Sequence, residues 1–144
     1  MAKKVHAVGV IFEDHEGRIL VLRRHAEDPE GGKWGLPGGK IESDETAVSA
    51  AVRETEEEIG HQVDSTQLKF LKTYRWDREG LDLVFEVFKL SIEAEEMSIA
   101  LDSTESTEYV WLPPHELHPR ADLMMGLYPI LQEQYQSVEG SRRS

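Results

Sequence analysis

The stretch between Gly39 and Gly60 constrains this chain more than any other. A Gly- and Pro-rich run, Trp34-Gly35-Leu36-Pro37-Gly38-Gly39, is followed by Asp44 to Ile59, which contains neither residue, and then by Gly60. Ser43 or Asp44 can cap an N-terminus, acidic residues fill the first turn, and Gly60 supplies a C-terminal stop, so the spacing predicts a helix from Asp44 to Ile59. At ~100° per residue with Ala47 at zero, Glu54 falls near ~340°, Glu58 near ~20° and Glu57 near ~280°. Ala47, Ala50 and Ala51 share that arc. Val48, Val52, Thr55 and Ile59 form a separate stripe at ~80–140°. The helix is therefore expected to face the core with this stripe and to carry an acidic seam, floored by alanines, beside it. The run from Trp34 to Gly39 is expected to be irregular, its glycines allowing close backbone approach to a ligand.

Around this segment the pattern is mostly of strands. Val5 to Phe12 and Arg18 to Arg24 flank a turn at Glu13 to Gly17, which predicts a hairpin. Ala26 to Gly32 reads as a loop. Leu68 to Tyr74 and Leu81 to Leu90 predict a second hairpin with Trp76 to Gly80 as its loop. Glu93 to Ser106 is expected to be mostly loop, and Tyr109 to Leu112 a short strand stopped by Pro113-Pro114. A last helix is expected from about Tyr128 to Gln136, with Pro129 in its first turn, and a frayed tail from Val138 to Ser144. With no repeat and no linker, residues 1–137 are expected to form one domain, a mixed sheet with helices packed on it.

Composition narrows the function classes. No apolar run is long enough to span a bilayer, and the start lacks the apolar core of a secretory signal. The chain contains no cysteine, so disulfides and thiolate metal sites are excluded. A cytoplasmic location is expected. Its net charge of −12 repels nucleic-acid polymers and anionic membranes, and it would repel a phosphorylated metabolite unless cations inverted the local field.

Three like charges on adjacent turns cost a helix a few tenths of a kcal/mol per pair. The alternative to a functional seam is a solvated acidic face, the usual meaning of a Glu-rich helix. Hard cations such as Mg²⁺ take oxygen ligands and share their shell with substrate phosphates, and a carboxylate seam beside small residues suits them. The flanking register decides between the two. Gly39, Glu45, Arg53-Glu54, Glu57-Glu58 and Gly60 stand at the intervals of the Nudix box, and this segment resembles it at every glycine, arginine and glutamate position. Allowing for the excess of Glu, a chance match has odds of about one in ten thousand or less. Thr55 and His61 stand where the box usually carries bulky aliphatic residues.

The resemblance implies an α/β/α sandwich with a mixed sheet and a catalytic loop–helix–loop, extending loosely over Lys4 to Gln136. It implies Mg²⁺ or Mn²⁺ held by the Gly38 carbonyl and by Glu54, Glu57 and Glu58. Arg53 would orient the carboxylates, with Glu45 as its partner and Gly39 supporting the site. The implied reaction is attack of water on one phosphorus of a nucleoside diphosphate linked to a further group, a carboxylate taking the proton. Glu54 is one candidate base, and in some family members the base comes from a loop outside the box. Glu105, six residues before Trp111, stands where nucleotide-sanitising members carry an extra metal-binding glutamate, and Glu108 is the alternative. Trp34 could stack on a base or cap the core. Arg23 and Arg24 could meet phosphate oxygens. His6, His15 and His25 lack zinc-like spacing and read as surface or strand residues.

The markers of the substrate subfamilies are weak. Asp77 stands where ADP-ribose hydrolases usually show a proline, and Tyr74 lies slightly before the tyrosine of dinucleoside polyphosphate hydrolases. By elimination the first expectation is a nucleoside triphosphate pyrophosphohydrolase, monomeric or homodimeric. A catalytically silent nucleotide sensor is the alternative from another class. An isoprenoid diphosphate isomerase of related fold would need a cysteine.

Overall fold

The computed structural model describes residues 3–26, 31–78, 80–117, 122–124 and 126–143. Its centre is strand β1 (Lys3–Glu13), in which residues 7–12 are buried without interruption. Such a run marks a strand covered on both faces rather than one half-exposed. Val8, Val10 and Phe12 point to one apolar cluster and Ile11 to another, as the two-residue period of a strand requires.

β2 (Ile19–Arg24) returns antiparallel from the turn, pairing Glu13 with Ile19. Asp14, 4% exposed, organises that turn by accepting from the backbone N–H groups of Glu16 and Arg18 and from Arg18 Nε. The Gly/Pro run is more regular than its composition suggests. β3 (Trp34–Gly35) pairs with β2, and β4 (Gly38–Lys40) lies antiparallel on β1, setting Gly39 opposite Val8. Two or three residues of pairing survive on either side of Pro37 because the long neighbouring strands offer partners.

β5 (Lys69–Arg78) and β6 (Leu81–Ser91) form the second hairpin, and β6 runs parallel to β1 along its whole length. The strand covers Trp76, Asp77 and Arg78, expected to be loop, because Tyr74 and Trp76 continue its alternation into a stacked ring pair. Residue 79 of that expected loop, residues 27–30 of the first loop and Ser144 of the tail lie outside the described residues. β7 (Ser106–Leu112) pairs with β2 and completes a mixed sheet of seven strands among the described residues.

Helix α1 (Ala47–Ile59) packs on one face of the sheet. The short α2 (Pro114–Leu117) and α3 (Leu127–Arg143) cover the other, where Leu117, Leu127, Ile130 and Leu131 meet Ile11, Ile19, Val21 and Val87. The expected α/β/α layering is therefore present. α3 begins one residue before the expected start, and its backbone runs on to Arg143, through most of the tail expected to fray.

Candidate active site

Helix α1 starts at Ala47, three residues later than expected, because Thr46 takes the cap. Its side chain accepts from the Ser49 N–H at 3.1 Å, and no acidic residue occupies the first turn. Gly60 ends the helix in the left-handed conformation, φ 71°, as expected of a C-terminal glycine.

The buried face differs from the one expected. Ala50, Ala51, Thr55, Glu58 and Ile59 are buried, while Val48 is 37% exposed and Val52 only half-buried. The helix is rolled so that its alanines face β1 and β4. Small side chains let the helix come close, and this draws Glu54 and Glu58 inward with them. Thr55 is fully buried, and its Oγ1 has no hydrogen-bond partner among the described residues. His61, in place of a bulky aliphatic residue, packs edge-on against Phe12, ring centres 6.3 Å apart.

Two glycines form the floor. Gly38 has φ +153°, and a Cβ there would strike the Val8 carbonyl; a Cβ on Gly39 would strike the Glu54 carboxylate. The Gly38 N–H donates to Glu58 Oε1 at 2.9 Å. Only glycine lets the carboxylates lie directly on the strand.

Arg53 organises the rest. It donates to both Glu45 oxygens (Nε at 2.7 Å, Nη2 at 2.8 Å), to Glu54 at 2.9 Å, to Glu57 at 3.1 and 3.2 Å, and to the Lys40 carbonyl at 3.1 Å. Paired to this guanidinium, Glu45 is held down to about 2, and Arg53 is raised in turn. Burial raises Glu54 despite the pull of Arg53, with Glu57 and Glu105 adding to the rise. Glu58 is 3% exposed. Burial pushes it up to about 8 against the Gly38 N–H, and the charges of Glu105 and Glu54 reinforce the shift.

Glu57 is exposed and, like Glu54, accepts from Arg53 Nη1, while Glu58 lies buried against the Gly38 N–H. Among the described residues no three histidine or carboxylate side chains are gathered into a metal cage.

The segment 97–106, expected to be plain loop, closes the end of α1. Ala100 N–H donates to the Ile59 carbonyl at 2.8 Å and Asp102 N–H to the Glu58 carbonyl at 2.9 Å, satisfying groups that a helix end leaves open. Glu105 comes from this segment and its charge is felt by both Glu54 and Glu58. Glu108 faces Arg23 at 3.3 Å, away from the box.

The two arginines part company. Arg23 donates to the Gly32 carbonyl, pairs with Glu108 and lies over the Trp34 ring. A shift of register between Arg23 and Arg24 brings Arg24 to an apolar cavity of about 200 Å³, and its charge acts on Glu58. Gly38, Gly39 and Lys40 line it together with Trp76, Phe85 and Met124. Trp34 is 6% exposed, belongs to the α3-side core and does not line this cavity. Its short strand β3 pairs it with Arg23 and turns the ring inward. Trp76 is the tryptophan at the cavity, and reading it as hairpin loop hid it. The two-residue step from Tyr74 to Trp76 was the signal that could have found it.

A mixed sheet between helical layers, with a short glycine strand laid under a carboxylate-bearing helix, defines the class. The NUDIX domain model matches residues 3–134, and the chain belongs to the Nudix family. It is a hydrolase of phosphorus-containing anhydrides. The chain is 42% identical over 76 residues to an 8-oxo-dGTP diphosphatase of Proteus vulgaris, a match covering 52% of this chain and 65% of that one. It is 28% identical over 114 residues to a CTP pyrophosphohydrolase of Escherichia coli K12, covering 79% of each. The fold matches a MutT protein from Methanosarcina mazei Go1 with a TM-score of 0.80 at 21% identity, covering 94% of this chain and 96% of that one.

Proposed function

We propose that this chain is a Mg²⁺- or Mn²⁺-dependent nucleoside triphosphate pyrophosphohydrolase. One observation carries the reading. The same two glycines support the carboxylates on one side and close an apolar, aromatic-lined cavity on the other. A nucleotide has the matching parts, a flat base for the cavity and an anionic phosphate chain for the carboxylate side. The two curated relatives named above act, by their names, on nucleoside triphosphates, which supports the choice among Nudix substrates. ADP-ribose, nucleotide sugars and dinucleoside polyphosphates are the alternatives.

The donor set fits a hard divalent cation. It is all oxygen, Glu58 is buried where its negative charge is penalised, and Glu54 and Glu105 press on it with like charge; a cation relieves that repulsion. Glu54, Glu57, Glu58 and the Gly38 carbonyl are the groups that would hold it, with Glu105 beside them. When bound, the metal supplies charge neutralisation on the anhydride oxygens and a more acidic water. Arg53, clamped by Glu45, keeps Glu54 and Glu57 in reach. A carboxylate, Glu54 or Glu105, takes the proton of the attacking water while the bridging P–O bond breaks. Arg24, at the mouth between cavity and carboxylates, meets phosphate oxygens.

A chain with no cysteine and, among the described residues, no helix long and apolar enough to cross a membrane suits a cytoplasmic enzyme, monomeric or homodimeric. The test is a phosphate- and pyrophosphate-release panel of nucleoside triphosphates, dinucleotides and nucleotide sugars with each metal. Nucleoside triphosphates should yield pyrophosphate, and Glu57→Gln should nearly abolish turnover while leaving the fold intact. Near-normal activity in that variant sinks the metal assignment, and a panel without turnover favours a nucleotide sensor.

A further inference from the structure

The segment that follows β6 returns to the sheet through a tight set of bonds centred on Asp102. Its N–H is tied to the Glu58 carbonyl at 2.9 Å, and its own carbonyl accepts from the N–H groups of Glu105 at 3.0 Å and Ser106 at 3.1 Å. Its side-chain Oδ1 accepts from the Thr104 N–H at 3.0 Å and the Thr104 hydroxyl at 2.6 Å. The Glu105 carbonyl is fixed from the far side by the His25 N–H at 2.9 Å. One residue thus joins the backbone of Glu58 to the backbone of Glu105. An aspartate that bonds its own backbone two residues on sets a turn of defined shape.

We propose that Asp102 is a positioning residue: through its turn onto Thr104 it fixes the Glu105 carboxylate relative to Glu54 and Glu58. The inference rests on the reading of Glu105 as part of the active site, which is separately testable. The backbone bonds of Asp102 hold the segment to α1 whatever its side chain; the side chain shapes the three residues that lead to Glu105. Glu105 is itself exposed, and among the described residues no side-chain hydrogen bond holds it, so its direction depends on the turn beneath it. A group held this way by a neighbour typically loses about 10- to 100-fold in metal affinity or activity when the neighbour is removed.

The experiment is a double-mutant cycle read in kcat, in the Mn²⁺ concentration for half-activation, and in the thermal midpoint. Asp102→Ala should raise the Mn²⁺ requirement and lower kcat by about 10-fold in all. Asp102→Asn, which keeps the accepting oxygen, should restore most of both. In a Glu105→Gln background Asp102→Ala should cost nothing further, since the group it positions is already gone. An undiminished effect in that background overturns the proposal, as does a wild-type response of Asp102→Ala beside an impaired Glu105→Gln. If Glu105→Gln is itself fully active, the Glu105 reading fails and takes this proposal with it. Should Asp102→Ala not fold, Thr104→Val, which removes only the hydroxyl contact, is read by the same criteria.

Discussion

Glu58→Gln should make the metal-free protein more stable while abolishing its activity. The carboxyl is 3% exposed and stands at about 8 where an unperturbed glutamate lies at 4.5. For an acid raised in the folded state, the charged form is the disfavoured one. The cost is absent below the unfolded value, grows through the window from 4.5 to about 8, and is complete above it. At 1.36 kcal/mol per pH unit, a carboxyl that ionises at 4.5 in the unfolded chain but keeps its proton to about 8 in the fold costs about 3 kcal/mol at pH 7 as an upper figure. Glutamine keeps the shape and still accepts from the Gly38 N–H, but carries no charge to bury. In EDTA at pH 7 the variant should therefore gain up to about 3 kcal/mol, raising the thermal midpoint by roughly 6–12 °C for a chain of this size. Denaturant titrations of both proteins from pH 4.5 to 8.5 measure it. The curves should converge near pH 4.5 and separate as pH rises, and added Mg²⁺ should narrow the gap by stabilising only the wild type. A variant less stable than wild type at pH 7, or a gap independent of pH, refutes the reasoning.

Arg53→Lys keeps the charge but loses the fork that spans Glu45, Glu54 and Glu57, so kcat at saturating Mg²⁺ should fall about 10- to 100-fold. Trp76→Ala should raise KM about 10-fold, equivalent to 1.4 kcal/mol of lost contact, with kcat little changed. Trp34→Ala should instead cost about 3 kcal/mol or more of stability and leave the KM of the folded fraction alone. Asp14→Ala should destabilise by about 2 kcal/mol or more through the loss of its turn bonds. Burial pushes the Asp14 carboxyl up, but the Arg18 and Glu16 donors outweigh it and hold it below the usual value. Its contribution is thus present above about pH 4 and lost in more acid solution, and the gap between the variant and wild type in urea titrations should close there.

The elements legible in the sequence were those whose signal is local. Gly60 stopped the helix where expected, and the spacing of Arg53, Glu54, Glu57 and Glu58 singled out the helix that carries the carboxylates. The roll of α1 was not legible. A wheel ranks faces by apolarity, and the valine stripe outranked the alanines; the close approach of a glycine strand reversed the order. β3 and β4 were invisible because their pairing depends on partners elsewhere in the chain, which override a composition that argues against strands. Arg23 and Arg24 are adjacent and chemically alike, and only the shift of register between them sends one to the cavity and the other to Glu108. The different surroundings of Glu105 and Glu108 follow from the segment 97–106 folding back on the end of α1, a long-range contact with no local signal.

Gly38 and Gly39 act as a partition one peptide layer thick. On one side stand the carboxylates of α1; on the other lies a chamber whose further lining includes Trp76 of β5, Phe85 of β6, Met124 and Leu127 of α3. Under the proposed function, what the enzyme holds and what it cuts would be assigned to different parts of the chain. Exchanging Trp76, Met124 or Leu127 reshapes the chamber without touching a single acidic group, so a change of preferred molecule need not cost the chemistry. The partition itself has no such freedom, since a side chain added there strikes the Val8 carbonyl or the Glu54 carboxylate.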